Sequence, residues 1–139
     1  MNTACRLARA EQGQALVEFA LVVPVLLLLV VGIFEFGRAW NAHQAVTDAA
    51  REGARAAVIA DPLMTDDSVK AVVRNALARA SLDGSRAEIE LTGVGALTGE
   101  PARVVVRYPF HFGFLKPLGT VLGNGGTVTL GTAFVMRNE

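Results

Sequence analysis

The chain predicts an α+β fold: a long N-terminal transmembrane and stalk helix, a second short helix and a small three-stranded antiparallel sheet. Three features carry that expectation. An apolar block lies close to the N-terminus, an alanine-rich stretch with a three-to-four residue period follows it, and three alternating apolar–polar runs fill the second half. The chain has 139 residues, with 13 Lys+Arg against 13 Asp+Glu and a single Cys. The balanced charge offers no field for nucleic acid, and one cysteine can build neither a disulfide framework nor a CxxC metal site.

The apolar block comes first. Between Gln12 and Gly37 the charged residues are Glu18 and Glu35, and the run from Phe19 to Phe34 has no charge. A helix from Gln14 to Phe34 would be about 32 Å long, enough to cross the hydrocarbon core of a bilayer. So small a chain could not cover every side of such a helix, so a transmembrane segment over 14–37 is expected, in contact with membrane lipid. Arg6 and Arg9 precede it, with Glu11 as the acid between them and the span. That bias places the N-terminus in the cytoplasm and the C-terminal bulk outside it.

A cleaved secretory signal is the rival reading, and Gly37-Arg38-Ala39 offers a small-x-small site. The length of the apolar run and the acid at its start argue against it. Cys5 precedes the run, the wrong order for a lipid-modified anchor. Pro24 falls within the span, where a mild kink is expected.

Glu18 needs an explanation, because an acid in an apolar helix costs about 2 kcal/mol or more to insert, depending on depth. The stretch reads Gly13-Gln14-Ala15-Leu16-Val17-Glu18-Phe19. A cut after Gly13 would give Gln14 a free amine one helical turn from Glu18. The carboxylate would then lie near a positive amine and the positive end of a helix dipole, its own or that of an adjacent subunit.

At this point the chain resembles the TadE-like pseudopilins of tight-adherence (Flp) pilus systems. Gly13 followed by QALVEFALVVP, the hydrophobic run and Gly32-Ile33-Phe34-Glu35-Phe36-Gly37-Arg38-Ala39 carry the resemblance. It implies a prepilin peptidase cutting after Gly13, Gln14 as the mature N-terminus, and Glu18-Phe19 as the acid–aromatic pair of the recognition and assembly signal. It further implies a minor pilin in the cytoplasmic (inner) membrane, a 1–13 leader, and other Tad/Flp pilus subunits and inner-membrane platform proteins as partners. Loss of the leader would remove Cys5 and leave a thiol-free mature chain. The alternative is an unprocessed bitopic anchor whose extracytoplasmic domain binds a ligand or partner.

Beyond Arg38, Val46, Ala49, Ala50, Gly53 and Ala57 recur at helical intervals, with Asp48, Arg51, Glu52 and Arg55 on another side. A helical stalk over 38–60 is expected, ended by Asp61-Pro62. Ala45, Ala49, Gly53 and Ala57 form a small-residue line that would admit either another helix or the protein's own sheet. Trp40 suits either an interfacial anchor or simple packing.

The region 61–139 is expected to be the extracytoplasmic α+β head. Its helix runs from about Thr65 to Ala80, capped by Thr65 or Asp66, with Val69, Val72, Val73, Ala76 and Leu77 on one face. Ala87, Ile89 and Leu91, then Val104, Val106 and Tyr108, then Val128, Leu130, Thr132, Phe134 and Met136 mark the three strands. Gly93 to Gly99 and Asn124-Gly125-Gly126 read as turns. Phe110, Phe112, Phe114 and Leu115 around Lys116-Pro117 would be either core filling or an exposed contact patch. His43 and His111 lack the spacing of a zinc site, and Asp66 and Asp67 read as helix-start residues. No cofactor, metal or catalytic group is expected.

Overall fold

A computed structural model describes residues 3–59, 65–96, 99–114, 116 and 125–137, with side chains described from Gly13 onward. Asp61-Pro62, Ala60, Leu97-Thr98, Leu115, Pro117 and Asn124, named above, lie outside the described residues.

The architecture is α+β. A single helix, α1, spans Thr3–Ala57, and α2 spans Asp66–Arg79. A 3₁₀ turn at Gly84–Arg86 leads into β1 (Glu88–Thr92), β2 (Pro101–His111) and β3 (Thr127–Arg137). The strands form an antiparallel meander in the order β1-β2-β3.

Helix α1 begins ten residues or so before the expected start at Gln14, since the residues ahead of Gly13 continue the same helix without a break. Pro24 lies inside it. Having no N–H, the proline leaves the carbonyl one turn back without its helical donor, but the neighbouring turns carry the helix through. Nothing in the described head covers the apolar part. The most apolar 18-residue window has a mean hydropathy of 2.9 and none of it is buried. Leu16, Leu21, Leu26, Leu27 and Ile33 all stand more than half exposed on different sides of the helix. Such a surface is stable only in an apolar medium, and α1 is therefore a single-pass membrane anchor.

From Ala42 onward the same helix changes role. Val46, Ala49, Ala50, Ala54 and Ala57 are buried and join Val69, Val73 and Leu77 of α2 and Ala102, Val104, Val106 and Tyr108 of β2 in one core. The segment expected as a stalk thus supplies much of the head's interior. Gly53 shows why its residues are small: a Cβ there would overlap the Cγ2 of Val73 and lie 3.4 Å from Cγ1 of Val104. The small-residue line meets the chain's own second helix and sheet, which settles the two readings of it.

Helix α2 starts at Thr65, whose hydroxyl accepts from the Ser68 N–H at 3.3 Å. Asp66 and Asp67 fill its first turn, where negative charge complements the helix dipole. The sheet turns Ala102, Val104, Val106, Tyr108 and Phe110 inward, flanked by Leu91 and Phe134 opposite Val104 and by Ile89 and Thr132 opposite Val106. On the outer face Arg107 pairs with Glu88 and Glu90 of the neighbouring strand. The Glu90 hydrogen bond, followed by its charge, raises the Arg107 pKa above the usual guanidinium value.

Candidate functional site

Two clusters on α1 hold the residues singled out above: one at the start of the apolar run, one where the helix meets the head.

At the first, Gly13, Gln14, Glu18 and Phe19 follow one another along continuous helix and are all exposed. A Cβ at Gly13 would meet nothing within 4 Å. Glycine costs a helix interior about 1 kcal/mol relative to alanine, so no internal contact explains this residue. Gly32 and Gly37 are equally open. What distinguishes Gly13 is its place one residue before Gln14, which stands a helical turn below Glu18. The Glu18 carboxylate has no hydrogen-bond or ion-pair partner among the described residues. Phe19, 67% exposed, points away from any packing within the chain. An acid flanked by apolar, outward-facing residues is costly in lipid unless a group from outside the chain meets it.

The second cluster is centred on Glu35. This residue is completely buried, the sole charged side chain in that state among the described residues. One carboxylate oxygen, Oε1, accepts from the backbone N–H of Gly113 at 3.0 Å and of Phe114 at 2.8 Å. The other, Oε2, pairs with Arg38 Nη1 at 2.8 Å, one turn up the helix. Three donors, one of them charged, thus satisfy the group and offset its loss of water. Gly113 is part of the fit, because a Cβ there would sit 3.2 Å from Glu35 Oε1 and 3.4 Å from Arg38 Nη1. The Arg38 guanidinium also lies over the Phe110 ring, 5.5 Å from its centre. Phe34 meets Phe114 edge-on with ring centres 6.4 Å apart.

Glu35 therefore ties the loop after β2 to the end of the membrane helix, across 78 residues of sequence. Sequence reasoning noted Glu35 as one of two charges in the apolar block but assigned it no task. The available signal was the pairing of an acid in an apolar run with an arginine three residues on. The aromatic cluster divides in this loop: Phe110 is buried, packing edge-on against half-buried Phe112, while Phe114 is 69% exposed. Core filling thus holds for Phe110, while Phe114 is exposed as a contact patch would require.

Residues 13–55 match the family model described as TadE-like protein. The match starts at Gly13, takes in Gln14, Glu18, Phe19, Pro24, Glu35 and Arg38, and stops before α2 and the sheet. No curated protein and no solved structure matches the chain.

Proposed function

We propose that this chain, whose residues 13–55 are TadE-like, is a non-catalytic pseudopilin that takes part in assembling a tight-adherence (Flp-type) pilus. A prepilin peptidase removes residues 1–13, and the mature chain begins at Gln14. The match points to a membrane protein associated with a Tad pilus; the processing and the assembly role rest on the geometry at Glu18. That residue is the observation that carries the reading: a carboxylate on a lipid-facing helix surface, without a partner among the described residues, one turn from Gln14.

Cleavage after Gly13 would expose the first backbone N–H groups of the shortened helix and create an amine at Gln14. Both attract a carboxylate. Glycine at the cut also makes physical sense, since the peptide bond lies in regular helix and a peptidase must unwind it locally. A residue about 1 kcal/mol worse than alanine in a helix lowers that cost. In an assembly, the amine of one subunit and Glu18 of another could pair, so that the charge inserts only where a subunit is waiting. The partners are then the prepilin peptidase, other Tad/Flp subunits and inner-membrane platform proteins, with the N-terminus cytoplasmic and the head outside. Pro24 is expected to kink the span mildly.

Glu18→Gln separates cutting from assembly. Removing one member of a desolvated charge pair costs about 3 kcal/mol because its partner is left unpaired. Subunit association should weaken about a hundredfold. The variant should still be cleaved and held in the membrane, but should no longer co-isolate with pilus subunits or support adhesion, with Glu18→Asp intermediate. Normal adhesion by cleaved Glu18→Gln protein would remove the basis of the reading.

A further inference from the structure

The loop that Glu35 holds carries an exposed phenylalanine at the level where the apolar run ends. Phe34 is the last residue of the charge-free stretch, and its ring lies 6.4 Å from that of Phe114. The two hydrogen bonds from Gly113 and Phe114 to the buried Glu35 carboxylate fix the loop backbone at this height on α1. Phe114 cannot leave the level of Phe34 while those bonds stand. Around the helix, Phe36 lies about 200° from Phe34. There it stacks on Trp40, with ring centres 6.3 Å apart and planes 22° from parallel. Phe34, Phe36, Trp40 and Phe114 are each more than half exposed. They lie on two opposite sides of the helix where its apolar surface gives way to the head, and aromatic rings concentrate at that boundary of a bilayer.

We propose that Phe114 enters the membrane–water interface beside Phe34, so that the head touches the lipid surface through the loop after β2 as well as through its transmembrane helix. The inference rests on the reading of α1 as membrane-spanning, and it identifies the occupant of this aromatic surface as lipid. Continuity decides for lipid: the Phe114 ring abuts the side chain that ends the apolar run, at the same depth and on the same side. A head seated in this way cannot swing freely about its helix. Its orientation relative to the membrane plane is fixed by two points, the helix and Phe114.

Tryptophan fluorescence tests the seat. In a Trp40→Phe background of the full chain, single tryptophans are placed by Phe114→Trp, Phe34→Trp, Leu27→Trp and Val135→Trp. All four positions are exposed within the chain, so the larger ring is accommodated. The proteins are reconstituted in phosphatidylcholine–phosphatidylglycerol vesicles without brominated lipid, with lipid brominated near the headgroup to report on Phe34→Trp and Phe114→Trp, and with lipid brominated deep in the acyl chains to report on Leu27→Trp. The Phe114→Trp emission should be shifted to the blue, shielded from aqueous acrylamide, and quenched by brominated lipid as strongly as that of Phe34→Trp. Val135→Trp, on the outer face of the sheet, should behave as a ring in water. Water-like emission from Phe114→Trp beside a quenched Leu27→Trp would overturn the proposal and leave the membrane span intact. Shielding from acrylamide without bromine quenching, growing with protein density in the vesicle, would assign the surface to protein contacts and also overturn it. An unquenched Leu27→Trp would instead remove the membrane reading itself.

Discussion

Glu18 and Glu35 bracket the same charge-free run and have opposite surroundings. Glu18 is exposed with no partner among the described residues, whereas Glu35 is sealed and bound by Gly113, Phe114 and Arg38. The first acid is open to another molecule; the second is consumed within the fold. Glu35→Ala would leave two backbone donors and Arg38 without their acceptor, at a cost of about 2 kcal/mol or more in local stability. Exchange of the Gly113 and Phe114 amides with deuterium should then quicken roughly thirtyfold, while amides in the middle of β2 stay protected. Glu35→Gln keeps one acceptor oxygen and should show a smaller change. Unaltered exchange in Glu35→Ala would mean that the loop is held by something else. The oddity of both acids was legible in the sequence, because charge in an apolar helix is conspicuous. Of the partners of Glu35, Arg38 lay within reach at helical spacing, but Gly113 and Phe114 were not legible, since they offer backbone N–H groups, which every residue but proline carries, brought close by the path of β2.

Among the elements, periodicity identified the upper part of α1, α2 and all three strands, because each buries one face and leaves the other in water, while the membrane part of α1 was marked by its unbroken apolar run. The ends were less legible. Helix α1 extends back to Thr3, where no glycine or proline precedes Gly13 to stop it, and the short 3₁₀ turn at Gly84–Arg86 has too few residues to show a period. The small-residue line on α1 was ambiguous for a physical reason: alanine and glycine permit close approach without naming what approaches. The structure places α2 there. A Gly53→Ala change would gain about 1 kcal/mol of helix propensity, but the added methyl overlaps the buried Val73 side chain. Overpacking of that kind costs about 1–3 kcal/mol, so the net effect should be a less stable head. Adding Val73→Ala to Gly53→Ala should cost less than the sum of the two single changes, as measured by thermal unfolding in detergent micelles. Additive losses would place α2 farther from α1 than described.

At the scale of the whole molecule, one continuous helix serves as membrane anchor and as part of the core of the head, so the two cannot be arranged independently. The division was visible in composition, where charge vanishes after Glu18 and returns at Glu35. That α1 meets the rest of the chain as early as Glu35, through the loop after β2, was hidden by the alanine-rich stretch, which reads equally well as a free stalk. The orientation assigned from Arg6 and Arg9 predicts that a cysteine at exposed Thr129, in a Cys5→Ser background, reacts with an impermeant maleimide in intact spheroplasts. Labelling only after lysis would invert the topology. The central claim, that the chain is a processed pseudopilin, depends on the bond between Gly13 and Gln14. The decisive measurement is the N-terminal sequence of the protein extracted from the membrane of peptidase-containing cells, alongside a Gly13→Val variant. The account predicts a mature chain beginning at Gln14 and an uncut precursor in the variant. A chain retaining residues 1–13, or one beginning beyond Ala39, would contradict it.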